Sequence, residues 1–471
     1  MQTVLTKYWL AVHVALLLFA SWSGLLSPRS STLVFLLWFA LLALEALALL
    51  PTVRKGENLA DARQRVIRDV VQDPFFYLGL GAVGFVCAQW LNSGCPLVYL
   101  PDADVWQRSP PPLSWAPFSV EGRDSLTCVS GFAACFVGGL VLRNSVGKAG
   151  KRYLLQAAAA LSGGVACLMV WQACRGVEPY VGMASNPGAC SAGSFFGFWL
   201  VLGMGGYVDA LARGQRASEL LFVTGFLFNL AGMLFFAAAL TLVLYAAAAL
   251  LLFVYWMAYL RQAVPKAVQL KLLFVMLVVA AAVVLAIVYV FPGNPVSAKL
   301  RVLADFVPYW EGVSETREVR SEAALKIWKE HVWVGVGANG FFQFVGSVVE
   351  GKAWALIKSD QALVHNDCLQ FLCEFGVLGA SLLGAGVIAL LVPVCYRARL
   401  AWQEGVSGTG DSRSYLLRLS PFVLTGVCAT ALCFAESWLG SPFRSFALLT
   451  SWVFVMAALP SFLPAKNRAA T

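Results

Sequence analysis

The residues that could do chemistry in this chain gather in one run, His365-Asn366-Asp367-Cys368-Leu369-Gln370-Phe371-Leu372-Cys373-Glu374-Phe375-Gly376. A histidine titrates near neutrality, so it can take a proton from an attacking hydroxyl. On a helix Asn366, Gln370 and Glu374 fall at i, i+4 and i+8, forming one polar stripe that runs into an apolar segment. A carboxylate at that depth is costly unless it meets a partner or a cavity, which marks the segment as a functional interior. His365 is the candidate base and Glu374 its supporting group. Asn366, Asp367 and Gln370 are candidate substrate-binding residues.

A second group lies some fifty residues upstream. Residues 315–330 have the composition of an amphipathic helix, with Val319, Ala323, Ala324, Ile327 and Trp328 as its apolar stripe. Arg317, Arg320 and Glu322 are expected off that stripe. The helix should stop at Gly335-Val336-Gly337-Ala338-Asn339-Gly340. Glycines such as Gly335 and Gly337 let backbone approach a ligand or another chain closely. The Lys-Ser/Thr pair that a nucleotide-binding loop needs does not follow.

What must position these residues is a membrane domain. The 471 residues are 59% hydrophobic and 13% charged, with a mean hydropathy of +0.74, too apolar for a water-soluble globule. The apolar runs are continuous rather than alternating, which indicates helices and not a barrel. Spans are expected near 8–26, 32–51, 75–93, 126–142, 154–173 and 195–212. The tract from Glu219 to Leu260 is long enough for two helices with a turn near Leu240. Further spans near 271–291, 367–394, 419–435 and 445–463 bring the count to about twelve. The fold class expected is thus all-α and polytopic. Residues 1–291 carry helices 1–9, residues 292–366 form a large extracytoplasmic cap loop, and residues 367–471 carry helices 10–12. The cap has eight basic and eight acidic residues. It is polar enough to fold outside the bilayer and long enough to cover a site.

Charge gives the orientation. With a cytoplasmic N-terminus, the inner segments hold 21 Lys and Arg, and the short outer loops hold only Arg29, Arg108, Arg123, Arg175 and Arg444. Both termini are therefore expected in the cytoplasm. The net charge of +9 is read as an orientation signal in contact with anionic headgroups and not as nucleic-acid binding. The twelve cysteines show no metal-ligand spacing, and no metal or cofactor is expected. Cys95, Cys174 and Cys190 fall on the outer side, with Cys174 and Cys190 the preferred disulfide pair.

His365-Asn366, nine residues, then Gly376-Val377-Leu378-Gly379 resembles the signature of the O-antigen ligase family, His-Asn/Ser/Gln, nine residues, Gly-x-x-Gly. An Arg-bearing helix, a Gly-x-Gly turn and a large external loop are similar to the same family and to the related O-antigen polymerases. The resemblance is strongest over residues 315–380 and topological elsewhere. It implies transfer of a glycan from an undecaprenyl-diphosphate carrier to an acceptor hydroxyl, lipid A-core or another glycan, at the outer face of the bacterial inner membrane. It also implies that His365 is the base and that Arg317 or Arg320 binds the diphosphate, a role suited to guanidinium forks. Two family elements are absent. Gly193-Ser194-Phe195 stands where members have Asn-x-Asn, and the tract Ala237 to Leu244 lacks the family's Ser-Arg pair. Either Arg444 supplies the missing charge, or the donor is bound differently, or activity is lost. Two readings of another class stay open: a transporter whose pathway the Glu374 stripe lines, and a non-catalytic envelope scaffold.

Overall fold

The computed structural model describes residues 11–22, 42, 56–95, 97–100, 105–174, 191–263, 277, 281, 306–349, 363–407 and 420–463. Apart from the single positions 42, 277 and 281, the expected spans at 32–51 and 271–291 lie outside the described residues, as do the side chains of Cys174 and Cys190. Cys95 is buried, with its Sγ 4.0 Å from Ser119 O.

Helices dominate, as uniformly apolar sequence requires where no water can satisfy the backbone. In chain order they are α1 (Ala11–Trp22), α2 (Leu59–Val71), α3 (Pro74–Leu91), α4 (Gly122–Asn144), α5 (Lys148–Cys174), α6 (Ser191–Ala212), α7 (Arg216–Phe236) and α8 (Ala239–Ala263). Then come α9 (Phe306–Glu330), α10 (Gly340–Val348), α11 (Asp367–Ser407), α12 (Pro421–Ser437) and α13 (Phe446–Ala458). Among the described residues seven helices are long and apolar enough to cross a membrane. The chain is a helical membrane protein. The long apolar tract breaks at Ala237-Ala238 between α7 and α8.

Local chemistry sets the helix starts. Asp73 caps α3 by accepting from Phe75 N at 3.1 Å, with Pro74 at the first helical position. The Asn366 side chain accepts from Leu369 N at 3.0 Å and opens α11 in the same way. In the bundle, small residues allow close helix approach. A Cβ on Gly225 would lie 2.3 Å from Ala159 O, and one on Gly205 1.9 Å from Thr425 Oγ1.

One β element was not anticipated. Strands β1 (Leu97–Leu100) and β2 (Val105–Arg108) pair antiparallel within the Pro- and Trp-rich segment between α3 and α4. The loop that follows is held by one buried side chain. Asn92 Nδ2 donates to Leu113 O at 2.9 Å and Pro117 O at 3.1 Å, and Asn92 Oδ1 accepts from Leu113 N at 2.9 Å.

A second hydrophobic cluster forms where Ala323, Ala324 and Ile327 of α9 meet Phe118, Phe341, Val364 and Cys373. Here the expectation for Arg320 is corrected. It does not lie off the stripe but is 1% exposed on the buried face. Position 320 precedes 323, 324 and 327 by three, four and seven, the spacing of one helix face. A long side chain can be carried there when its charged head finds a carbonyl, and Arg320 Nη1 donates to Leu363 O at 3.2 Å.

Candidate functional site

The site is organised around a break in α11. Gly376 has φ 62 and ψ −172, a conformation open essentially to glycine alone. The break frees the carbonyls of Cys373 and Glu374 and the amides of Val377 and Leu378 from the helical ladder. The turn after α9 takes up all four groups: Val336 N and Gly337 N donate to Cys373 O (3.1 Å) and Glu374 O (2.8 Å), while Val377 N and Leu378 N donate to Val332 O (2.9 Å) and Trp333 O (3.1 Å). Broken helices persist in membranes only where such partners exist.

The glycines of the turn allow this approach. Gly335 has φ 67, and a Cβ on it would lie 2.4 Å from the Glu374 backbone. Gly337, at φ 86, is pressed against Ser119 and Phe118 O. The close approach that the sequence pointed to is therefore made by the chain itself. Gln89 of α3, fully buried, completes the junction by donating to Val334 O and Glu374 O, both at 3.1 Å.

The expected stripe is present, with a partner at its inner end. Gln370 Nε2 donates to Glu374 Oε1 at 3.0 Å, and Gln370 Oε1 accepts from Val364 N at 3.2 Å. Glu374, 0% exposed, also accepts from Arg444 Nη1 at 2.5 Å. Burial disfavours the Arg444 charge, but Glu374, Cys128 and Asp367 around it outweigh this and raise its pKa above the ordinary value. Arg444 thus meets a carboxylate of its own chain.

His365 is buried with φ 58, a left-handed backbone uncommon outside glycine. Two contacts hold the residues before it: Arg320 on Leu363 O and Gln370 on Val364 N. Arg317 is 48 positions earlier in sequence and donates to Leu439 O, in the loop after α12. The structure therefore brings His365, Asp367, Gln370, Glu374, Arg320 and Arg444 into one connected region, with Arg317 on the adjoining loop. Asp367 Oδ2 accepts from Phe443 N at 2.9 Å, whereas its Oδ1 is buried without a hydrogen-bond partner among the described residues.

An apolar cleft of about 360 Å³ opens beside this region. Asp367, Cys368, Ser437 and Phe443 line one end, and Phe75 and Leu390 lie among the residues of the other. Polar groups are thus concentrated at the end next to His365.

Glu436 was missed in the sequence. It is 3% exposed at the end of α12, and its Oε2 accepts from Tyr245 at 3.4 Å. The same Tyr245 hydroxyl approaches Ser194 O at 3.3 Å, and the Thr241 and Ser194 side chains also hydrogen-bond to Glu436, so the segments around 194 and 241 converge on this carboxylate. The signal was available: a lone Glu ending an apolar span, read by the same rule that singled out Glu374. His331, set between Phe118 and Phe344 with ring centroids 5.3 and 5.7 Å away, was missed as well.

Fold and site together define a helical membrane protein with a covered polar site at the head of a broken helix. No family model matches the chain, and no curated protein matches it.

Proposed function

We propose that this chain is a membrane glycosyltransferase of the O-antigen ligase type. It moves a glycan from an undecaprenyl-diphosphate carrier to an acceptor hydroxyl at the outer face of a bacterial inner membrane. The acceptor is a lipid A-core in ligation or a second glycan in polymerisation. The observation that carries the reading is His365, buried in a strained backbone two residues before Asp367, which with Cys368 and Ser437 lines an apolar cleft. Strained residues over-determined by their surroundings cluster at functional sites, and a cleft polar at one end suits an amphiphile whose reacting group sits at that end.

In this mechanism the acceptor hydroxyl attacks the anomeric carbon and its proton passes to the His365 imidazole. The bond from that carbon to the diphosphate breaks with its electrons leaving on the diphosphate. Arg317 offsets that charge, and Arg320 positions His365 through the Leu363 carbonyl. Glu374, tied to Arg444 and Gln370, supports the same backbone.

His365→Asn is the sharpest test, since Asn tolerates the left-handed backbone and removes the base. With purified protein, a polyprenyl-diphosphate glycan donor and a hydroxyl acceptor, transfer should fall about 10²–10⁴-fold with the unfolding midpoint retained. Unchanged glycan transfer at equal protein level would overturn the proposal.

A further inference from the structure

The end of the helical domain away from His365 holds an excess of positive charge. Arg143 in the last turn of α4, Lys151 in the first turn of α5 and Arg397 near the end of α11 converge on the short 3-10 turn Leu459–Phe462 and its surroundings. Lys151 Nζ donates to Ser461 Oγ at 2.7 Å, and Arg397 Nη1 donates to Pro460 O at 2.6 Å. Consecutive residues therefore hold two cations side by side. Arg143 is fixed to the same helix as Arg397 through Ala389 O, at 3.4 Å.

Their charges are not balanced. Arg143 is neutralised by Asp73, with contacts of 2.6 and 2.9 Å. Among the described residues neither Lys151 nor Arg397 forms an ion pair. The charged groups acting most strongly on Lys151 are both positive, Arg397 and Arg143. Lys151 is only 4% exposed, and a buried ammonium without a counter-charge is costly. Its three N–H donors exceed the single hydroxyl that meets it. The start of α5 adds the positive end of a helix dipole at the same place.

We propose that Lys151 and Arg397, backed by Arg143, form a binding site for a phosphate group, supplied by the headgroup of an anionic phospholipid or by free phosphate. A phosphate offsets the excess charge, fills the remaining donors and joins α5, α11 and the 3-10 turn. Arg397 is exposed and gives the group its way in. Basic pockets between membrane helices bind anionic headgroups for the same reason.

The test uses the full chain in detergent, with native mass spectrometry after exchange against phosphatidylglycerol or phosphatidylcholine. The wild type should retain phosphatidylglycerol in preference, and Arg397→Gln or Lys151→Gln should lower that preference about five-fold each. Arg397→Gln changes an exposed side chain and decides the matter if Lys151→Gln fails to fold. Inorganic phosphate that raises the unfolding midpoint and displaces the lipid supports the site with a soluble source. Equal retention of the two lipids by the wild type, with no effect of phosphate, overturns it, as does an undiminished preference in Arg397→Gln.

Discussion

Arg444 reaches Glu374 at 2.5 Å across 70 positions of sequence, joining the loop before α13 to the interior of α11. Glu374 is fully buried and the Arg444 side chain 18% exposed, so each charge answers the cost of the other.

Arg444→Gln should therefore destabilise the protein by about 3–5 kcal/mol, because it leaves a buried carboxylate alone. Unfolding in denaturant measures the change. The double variant Glu374→Gln/Arg444→Gln should recover most of the loss, and additivity of the two single losses would show that the pair does not act as a unit.

Gly376→Ala should undo the junction between α11 and the turn after α9. The conformation at φ 62 is strained by about 1–3 kcal/mol for a residue with a Cβ, and that Cβ would lie 2.4 Å from Trp333 backbone. Gly384→Ala, where nothing lies within 4 Å, is the control on the same helix and should fold as the wild type does. Folded yield by size-exclusion chromatography compares the two.

Asn92→Ala removes the side chain that holds the loop after β2 and should cost about 1–3 kcal/mol, since the buried carbonyls it served lose their partner. Limited proteolysis should cut between residues 109 and 120 faster in the variant. An unchanged cleavage pattern would place the loop's support elsewhere.

His331 sets a pH dependence. Burial between aromatic rings lowers its pKa from 6.5, with Glu330 acting weakly the other way. The unfolded chain then binds a proton at a higher pH than the folded one, so stability falls as pH drops through 6.5 and levels out below the lowered folded value. The unfolding midpoint of the wild type should decline more between neutral and mildly acidic pH than that of His331→Gln. Parallel curves would exclude this origin.

The membrane helices were largely readable in the sequence, because apolar runs of bilayer length have few other solutions. The length of the tract from Glu219 to Leu260 already demanded a turn, found at Ala237-Ala238. The polar stripe of Asn366, Gln370 and Glu374 was readable as well, since helical spacing is local. Arg320 sits where its position, not its residue type, sends it. Its spacing to Ala323, Ala324 and Ile327 set it on the buried face, and the carbonyl that accepts it there, Leu363 O, lies 43 positions away.

By itself the sequence determined that the chain crosses a membrane as helices, that Glu374 needs a partner, and that the glycines near 335 and at 376 permit close backbone approach. Only the tertiary structure decided that the partner is Arg444, that those glycines face each other, that Gln89 ties into their junction, and that Glu436 meets Tyr245. Local periodicity encodes which face of a helix is apolar. It does not encode which distant carbonyl, carboxylate or turn will meet that face, because those pairings are selected by the packing of the whole bundle.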